Sequence, residues 1–175
     1  MPKLERVARL SRILQVLTVS AMIVLPLAII VGMRVGVFWE APYPADLIVE
    51  SEISRTQVTM VFILALIKPI ILLWILNEMR KLFVAYSKGA ILTNRSARLI
   101  QRIGQGFVAM AVADFLFQPL FVLILTMANP PGSRSLAISV NSDMMFFALA
   151  GGLIIVVGWA MREAAAAAAE NRSFV

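Results

Sequence analysis

Histidine and cysteine are both missing from this 175-residue chain. Their absence removes the commonest transition-metal ligands, the usual general base, the thiol nucleophile and every disulfide. The remaining side chains offer no pattern in which a nucleophile is paired with a base. We therefore expect no catalytic residues, no metal site and no bound cofactor, and an enzyme is the least favoured class of function.

Charged residues are scarce as well. They make up 15% of the chain, whereas hydrophobic residues make up 61%, a share well above that of soluble domains. This composition indicates an integral membrane protein. The formal net charge of +6 is compatible with nucleic-acid binding, but a basic excess is also typical of membrane proteins whose polar segments face anionic lipid.

Four apolar runs are each close to the roughly 20 residues needed to cross a hydrocarbon core about 30 Å thick. They cover residues 13–33, 58–76, 106–127 and 144–161. All four should be helices, because a backbone in lipid must satisfy its own hydrogen bonds and the runs show no strand-like alternation. The first run is longer than the apolar part of a signal peptide and no cleavage site follows it, so we expect a retained span. The sequence thus predicts an all-α, four-helix membrane bundle in a single domain, residues 1–175.

The distribution of basic residues predicts the orientation of these spans. Twelve lie in the N-terminal tail, the middle connection and the C-terminal tail: Lys3, Arg6, Arg9, Arg12, Arg80, Lys81, Lys88, Arg95, Arg98, Arg102, Arg162 and Arg172. The other two connections are mainly acidic. By the positive-inside rule, we expect both termini and the middle connection, about residues 77–105, to be cytoplasmic. Topology thereby explains the basic charge, and we expect no direct nucleic-acid binding.

Two charged residues lie inside apolar runs, Lys68 in the second and Asp114 in the third. Each costs roughly 2.5 to 3.5 kcal/mol at a helix centre on insertion scales. Both are eight residues from the cytoplasmic end of their run, so antiparallel neighbours would bring them to one depth. We expect a buried ion pair, with Gln118 one turn from Asp114 as a further partner. Such a pair either fixes which helices are neighbours, the interpretation we favour, or belongs to an ion or proton path.

The middle connection contains helix boundary signals. Lys88-Gly89 is typical of a helix end with glycine in the left-handed position, and Thr93 before Asn94 is typical of an N-cap. The second helix should therefore continue to about Ser87, and the third should begin near Asn94. Together they predict a cytoplasmic helical hairpin.

One face of this hairpin is basic. Arg95, Arg98 and Arg102 follow helical spacing, while a second set of positions is mostly apolar: Ser96, Leu99, Ile100, Ile103 and Phe107. The basic face either contacts phosphate headgroups of membrane lipid or docks a cytoplasmic protein.

Proline, glycine and alanine mark other positions. Pro26, Pro69 and Pro119 lie within apolar runs, where prolines are tolerated as kinks, and Gly151 suggests a close approach of the fourth helix to a neighbour. The alanine run before Glu170 has high helix propensity, so the fourth helix should continue to about that residue. The remaining tail, from Asn171 to Phe174 and Val175, would be free to fold back onto the hairpin.

The segments 86–93 (YSKGAILT) and 97–104 (ARLIQRIG), with the tail 170–175 (ENRSFV), resemble a bacterial membrane family, the DUF2975 family of unknown function. Leu92 stands where many members have phenylalanine. The resemblance implies a four-span protein of the bacterial inner membrane. By analogy with paired genes, it also implies a small helix-turn-helix transcription regulator as cytoplasmic partner. The implied contact surface runs from Tyr86 to Arg102 and includes the C-terminal tail.

Three functions follow as hypotheses. The first is a non-enzymatic regulatory membrane protein that works through its cytoplasmic surfaces. The second is a small transporter or channel component, a possible homo-oligomer, that uses Lys68 and Asp114. The third is a purely structural membrane subunit. Transport is less favoured because Lys68 would neutralise the one acidic residue within the spans.

Overall fold

The computed structural model of the chain describes residues 2–35, 54–130 and 141–173. All regular secondary structure in these ranges is helical: α1 (Pro2–Val35), α2 (Arg55–Ala65), α3 (Ile67–Ser87), α4 (Asn94–Thr126) and α5 (Ser142–Ser173). Helix α1, α2 with α3, α4 and α5 form four helical segments that are long and apolar enough to cross a membrane. The fold is therefore all-helical, as predicted, and is consistent with a multi-pass membrane protein.

The second segment differs from the prediction, because it consists of two helices rather than one. The α-helix is interrupted at Leu66, which closes α2 and opens α3. Pro69 explains the break: its nitrogen carries no hydrogen and cannot bond the carbonyl of Ala65, four residues earlier. Pro26 and Pro119 instead lie within uninterrupted helices.

The helices pack mainly in chain order. Among the described residues, α1 contacts α3, α3 contacts α4, and α4 contacts α5, while α2 contacts α3 and α4. Helix α4 is thus central, with the second segment on one side and α5 on the other. A compact apolar cluster joins α3 to α4: Ile75, Leu82, Leu99, Ile100 and Ile103.

Glycines allow α4 and α5 to approach to backbone contact. A Cβ atom added at Gly104 would lie 2.8 Å from the carbonyl oxygen of Gly151, and one added at Gly151 would lie 2.8 Å from that of Gly104. One added at Gly158 would lie 2.6 Å from Cγ of Gln101. The close approach predicted at Gly151 is therefore present, and its partner is Gly104. Small residues let membrane helices gain van der Waals contact where lipid provides no hydrophobic driving force.

Gly151→Ala should weaken the α4–α5 contact. The added methyl group must displace backbone, and overpacking of this kind costs about 1 to 3 kcal/mol. The free energy of unfolding, measured by titrating dodecyl sulfate into mild-detergent micelles with circular dichroism detection, should fall by that amount.

Gly152→Ala is the matched control, because no atom lies within 4 Å of a Cβ added there. It should leave stability unchanged or raise it by up to about 1 kcal/mol, since alanine has the higher helix propensity. Equal losses in the two variants would contradict the packing interpretation.

Candidate functional site

Polar side chains on the second segment meet α4 at three levels. Gln57, Lys68 and Glu78 are separated by eleven and ten residues, close to three helical turns, so they lie roughly 15 Å apart along one side of α2 and α3. Their partners on α4 are Ile124, Asp114 and Arg102, so the residue numbers fall on α4 as they rise on the second segment. The three levels together define one antiparallel register.

The middle level is the ion pair between Lys68 Nζ and a carboxylate oxygen of Asp114, the contact predicted from the sequence. The Asp114 side chain is 8% exposed and that of Lys68 is 39% exposed. The ammonium group also lies 4.7 Å from the centroid of the Phe117 ring, a favourable cation–π distance. The Asp114 carboxylate is therefore buried and paired with Lys68, whereas the Lys68 side chain remains partly exposed at the edge of the interface between α3 and α4.

Gln118 lies one turn further along α4 and is half-buried. Its assignment as an additional partner of the ion pair stays a prediction. The break at Leu66 and the proline at position 69 both adjoin Lys68, so the ion pair is located where the second segment is least regular.

The upper level is formed by Gln57, which is buried although it is polar. Its side-chain oxygen accepts from the backbone nitrogen of Ser54 at 2.8 Å in a capping box. Its side-chain nitrogen donates to the carbonyl oxygens of Ile124 and Leu125, at 2.9 and 3.3 Å. The Gln57 side chain thus completes the N-terminal cap of α2 and also hydrogen-bonds α2 to the end of α4.

The lower level is a cluster of three charged groups, which we call the Glu78 cluster: Glu78, Lys81 and Arg102. The Glu78 side chain is 3% exposed, and its Oε1 atom accepts from Lys81 Nζ at 2.5 Å. Its Oε2 atom lies 3.7 Å from Arg102 Nη1 and makes no hydrogen bond. Arg102, predicted only as part of the basic face, is therefore also the link between that face and α3.

The hairpin turn has the predicted geometry. Helix α3 ends at Ser87, Gly89 has a φ of +77°, and α4 begins at Asn94 with Thr93 as its N-cap. The hydroxyl of Ser96 donates to the carbonyl oxygen of Ala90 at 2.7 Å. Hydrogen bonds within the turn therefore hold the two helices at a defined separation.

The two predicted faces of the hairpin separate as expected. Arg95, Arg98 and Arg102 are exposed, and these three arginines are called the basic face below. Four residues of the second set are buried: Ser96, Leu99, Ile100 and Ile103. Lys88 is exposed at the tip, and Tyr86 packs against the apolar cluster.

The C-terminal end of α5 is helical beyond the predicted limit. The helix runs through Glu170 and Asn171 to Ser173, and Ala165 on it is buried. Phe174 and Val175, and with them the predicted return of the tail to the hairpin, lie outside the described residues.

The sequence predictions missed Gln57 and Glu78. Once Lys68 is paired with Asp114, the same antiparallel register places Gln57 beside residues 124–125 and Glu78 beside residues 102–104. That register, rather than any local motif, is the signal that could have identified both. Glu78 carries no such local signal, because it lies outside the apolar runs and next to the basic residues Arg80 and Lys81.

No group of three or more acidic side chains suited to a metal ion occurs in the described ranges. Comparisons of the chain with protein-family models, with curated proteins and with solved structures gave no match. The resemblance to the DUF2975 family therefore stays a prediction.

The ion pair predicts the outcome of a charge exchange. Lys68→Asp and Asp114→Lys should each lower the free energy of unfolding by about 3 to 5 kcal/mol, because each leaves like charges facing one another in a buried site. The double variant should recover most of that loss, measured by detergent unfolding and by the yield of folded protein. A double variant no more stable than the single variants would show that the contact is unimportant.

Proposed function

We propose that the chain is a regulatory multi-pass membrane protein that holds a cytoplasmic protein on its basic face. The observation that carries this proposal is the separation of the two faces of the hairpin. One face packs against α3, while the arginines of the other are exposed on the first turns of α4, next to the hydrogen-bonded hairpin turn.

Insertion in the bilayer is supported by the dimensions of the second segment. Gln57 and Glu78 are 21 residues apart, which corresponds to roughly 31 Å of helix and matches a hydrocarbon core about 30 Å thick. The two polar residues then lie at opposite boundaries, with Lys68 and Asp114 near the middle. Paired charges at that depth are tolerated, whereas a single charge is costly.

The positive-inside rule orients the proposed protein with the hairpin and both termini in the bacterial cytoplasm. The basic face, projecting from the turn, is then available to a soluble partner. An acidic protein surface fits it best, because guanidinium groups form paired hydrogen bonds with carboxylates. The family resemblance implies a helix-turn-helix regulator as the partner, and the basic face leads us to expect an acidic surface on it.

The topology can be tested with single cysteines, because the chain contains none of its own. Lys88→Cys lies at the hairpin tip and Ser142→Cys at the start of α5, and both positions are exposed. A membrane-impermeant maleimide should label Ser142→Cys in intact cells but Lys88→Cys only after the membrane is permeabilised. Labelling of Lys88→Cys in intact cells would overturn the orientation and the proposed function with it.

Partner docking can be tested by purifying the full chain from membranes in mild detergent and identifying what remains bound. Arg95→Gln combined with Arg98→Gln should lower recovery of a specific partner by about tenfold or more, since hydrogen bonds to charged groups contribute about 1.5 to 3 kcal/mol each. Arg102 is left intact because it also contacts Glu78.

The matched control is Arg9→Gln with Arg12→Gln. It removes the same charge from exposed positions on α1, on the side that we place in the cytoplasm. It should leave partner recovery unchanged. Equal loss in both double variants, or no specific partner with the unaltered chain, would contradict docking at the basic face.

A transporter or channel component is the second candidate. The observation favouring it is the interruption of the second segment beside Lys68, because discontinuous helices near the bilayer middle form ion and substrate sites in transporters. Against it, Asp114 is already held by Lys68. The absence of any docking partner would raise this candidate above the first.

A further inference from the structure

We propose that the groove between α3 and α4, on the side of the Glu78 cluster, binds one phospholipid with a net anionic headgroup. This groove has a charged end and an apolar end. It is called the lipid groove below. The proposal rests on the membrane insertion and orientation described above but not on the docking of a protein partner.

The charged end presents two cations from different helices. Lys81 comes from α3 and Arg102 from α4, and both approach the same buried carboxylate, Glu78. Their side chains remain 38% and 57% exposed. Glu78 thereby holds the two groups side by side while leaving N–H donors of each free for another acceptor.

The depth of this end suits a lipid phosphate. Glu78 lies ten residues from Lys68, or roughly 15 Å along the helix, which is half the thickness of a hydrocarbon core of about 30 Å. With Lys68 near the bilayer middle, Lys81 and Arg102 lie at the level of the headgroups. They face the cytoplasmic leaflet.

An apolar surface continues from this end toward the bilayer middle. Lys81, Trp74 and Ile67 recur every seven residues, so they lie on one side of α3, and Trp74 and Ile67 are exposed. A Cβ atom added at Gly106 on α4 would overlap Cγ1 of Ile75 and lie 3.3 Å from Cζ3 of Trp74, so α4 packs directly against this part of α3. The charged end of the lipid groove is thus followed by an apolar surface along α3 that includes Trp74 and Ile67.

The path ends in an apolar cleft beside Lys68. Its lining consists of Leu64, Ile67, Lys68, Ala113, Leu116, Phe117 and Leu120. Ile67 is fourteen residues from Lys81, a distance of roughly 21 Å along the helix. Half of the hydrocarbon core accounts for roughly 15 Å of this distance, and the phosphate and glycerol of the lipid lie beyond it, so the headgroup and the end of one acyl chain would be bound at the same time.

Charge complementarity decides the headgroup class. The Glu78 cluster contains two cations and one carboxylate, a net charge of +1 when all three groups are ionised. A phosphodiester without a compensating ammonium group neutralises this charge, whereas a choline or ethanolamine headgroup does not. Phosphatidylglycerol is therefore the expected type of occupant and phosphatidylcholine the expected non-binder.

Tryptophan quenching by brominated lipids can test the lipid groove. A chain with Trp39→Phe and Trp159→Phe retains only Trp74, which lies in the groove. The chain is reconstituted into phosphatidylcholine vesicles containing a minor fraction of phosphatidylglycerol, with bromine on the acyl chains of one lipid at a time. The quenching of Trp74 by brominated phosphatidylglycerol should correspond to a local enrichment of this lipid of about tenfold over its share of the bilayer. This enrichment is equivalent to a binding preference of about 1.4 kcal/mol.

Trp159 provides an internal control. It is 60% exposed on α5, a helix that contributes no residue to the Glu78 cluster, and a chain retaining only this tryptophan should be quenched in proportion to the lipid composition. Lys81→Gln with Arg102→Gln should abolish the enrichment at Trp74. Arg95→Gln with Arg98→Gln should preserve it, which separates this result from the docking experiment.

Three outcomes would overturn the proposal. Quenching of Trp74 in proportion to composition would show that no headgroup is selected. Equal loss of enrichment in both arginine-containing double variants would show a diffuse charge effect rather than a site. Displacement of brominated phosphatidylglycerol by excess soluble glycerol phosphate would show that the charged end binds phosphate without the lipid chain.

Discussion

Buried polar contacts hold the second segment and α4 in a single antiparallel register. Three polar contacts specify it: Gln57 with the end of α4, Lys68 with Asp114, and Glu78 with Arg102. Asp114 and Glu78 are almost fully buried, so a shift of one residue along either helix would leave charged groups without partners. The cost of unpaired charge in an apolar environment is high. Apolar packing alone would tolerate such a shift far better.

Helix α4 packs against α5 through a different kind of interface. Toward α5 it presents small residues, and Gly104 and Gly151 bring the two backbones into contact. Small residues recur every seven positions and are buried on both helices, with Ala97, Gly104 and Ala111 on α4 and Gly151, Gly158 and Ala165 on α5. Shape, rather than charge, therefore specifies this second interface. The central helix is held by charge pairing on one side and by close van der Waals contact on the other.

These two interfaces account for the position of the basic face. The sides of α4 that meet α3 and α5 are committed to packing, and Arg95 and Arg98 occupy the side that remains. Arg102 lies at the edge between packed and free surface, where it meets Glu78. In the functions that we propose, the projecting arginines contact a protein and the Glu78 cluster contacts a lipid phosphate. Neighbouring basic residues on one helix would then differ in role because only one of them is placed by a buried carboxylate.

Much of the fold could be predicted locally. Hydrophobic runs indicated the four segments, and the Gly89 and Thr93 signals located the ends of α3 and α4, because helix boundaries depend on a few neighbouring residues. The depth of Lys68 and Asp114 could also be counted from the ends of their runs, since a helix has a fixed rise per residue. The break at Leu66 was not anticipated, as prolines interrupt some apolar helices and only bend others: Pro26 and Pro119 lie in continuous helices, whereas Pro69 adjoins the break.

The helical class, the apolar segments, the hairpin and the separation of its two faces can all be predicted from the chain, because each follows from the periodicity and chemistry of consecutive residues. The surfaces that meet are known only from the packed helices: Gly104 against Gly151, Gln57 against the carbonyls at the end of α4, and Glu78 between Lys81 and Arg102. These contacts join residues that are distant in the chain. Their existence depends on the relative rotation and register of whole helices, which no local pattern specifies.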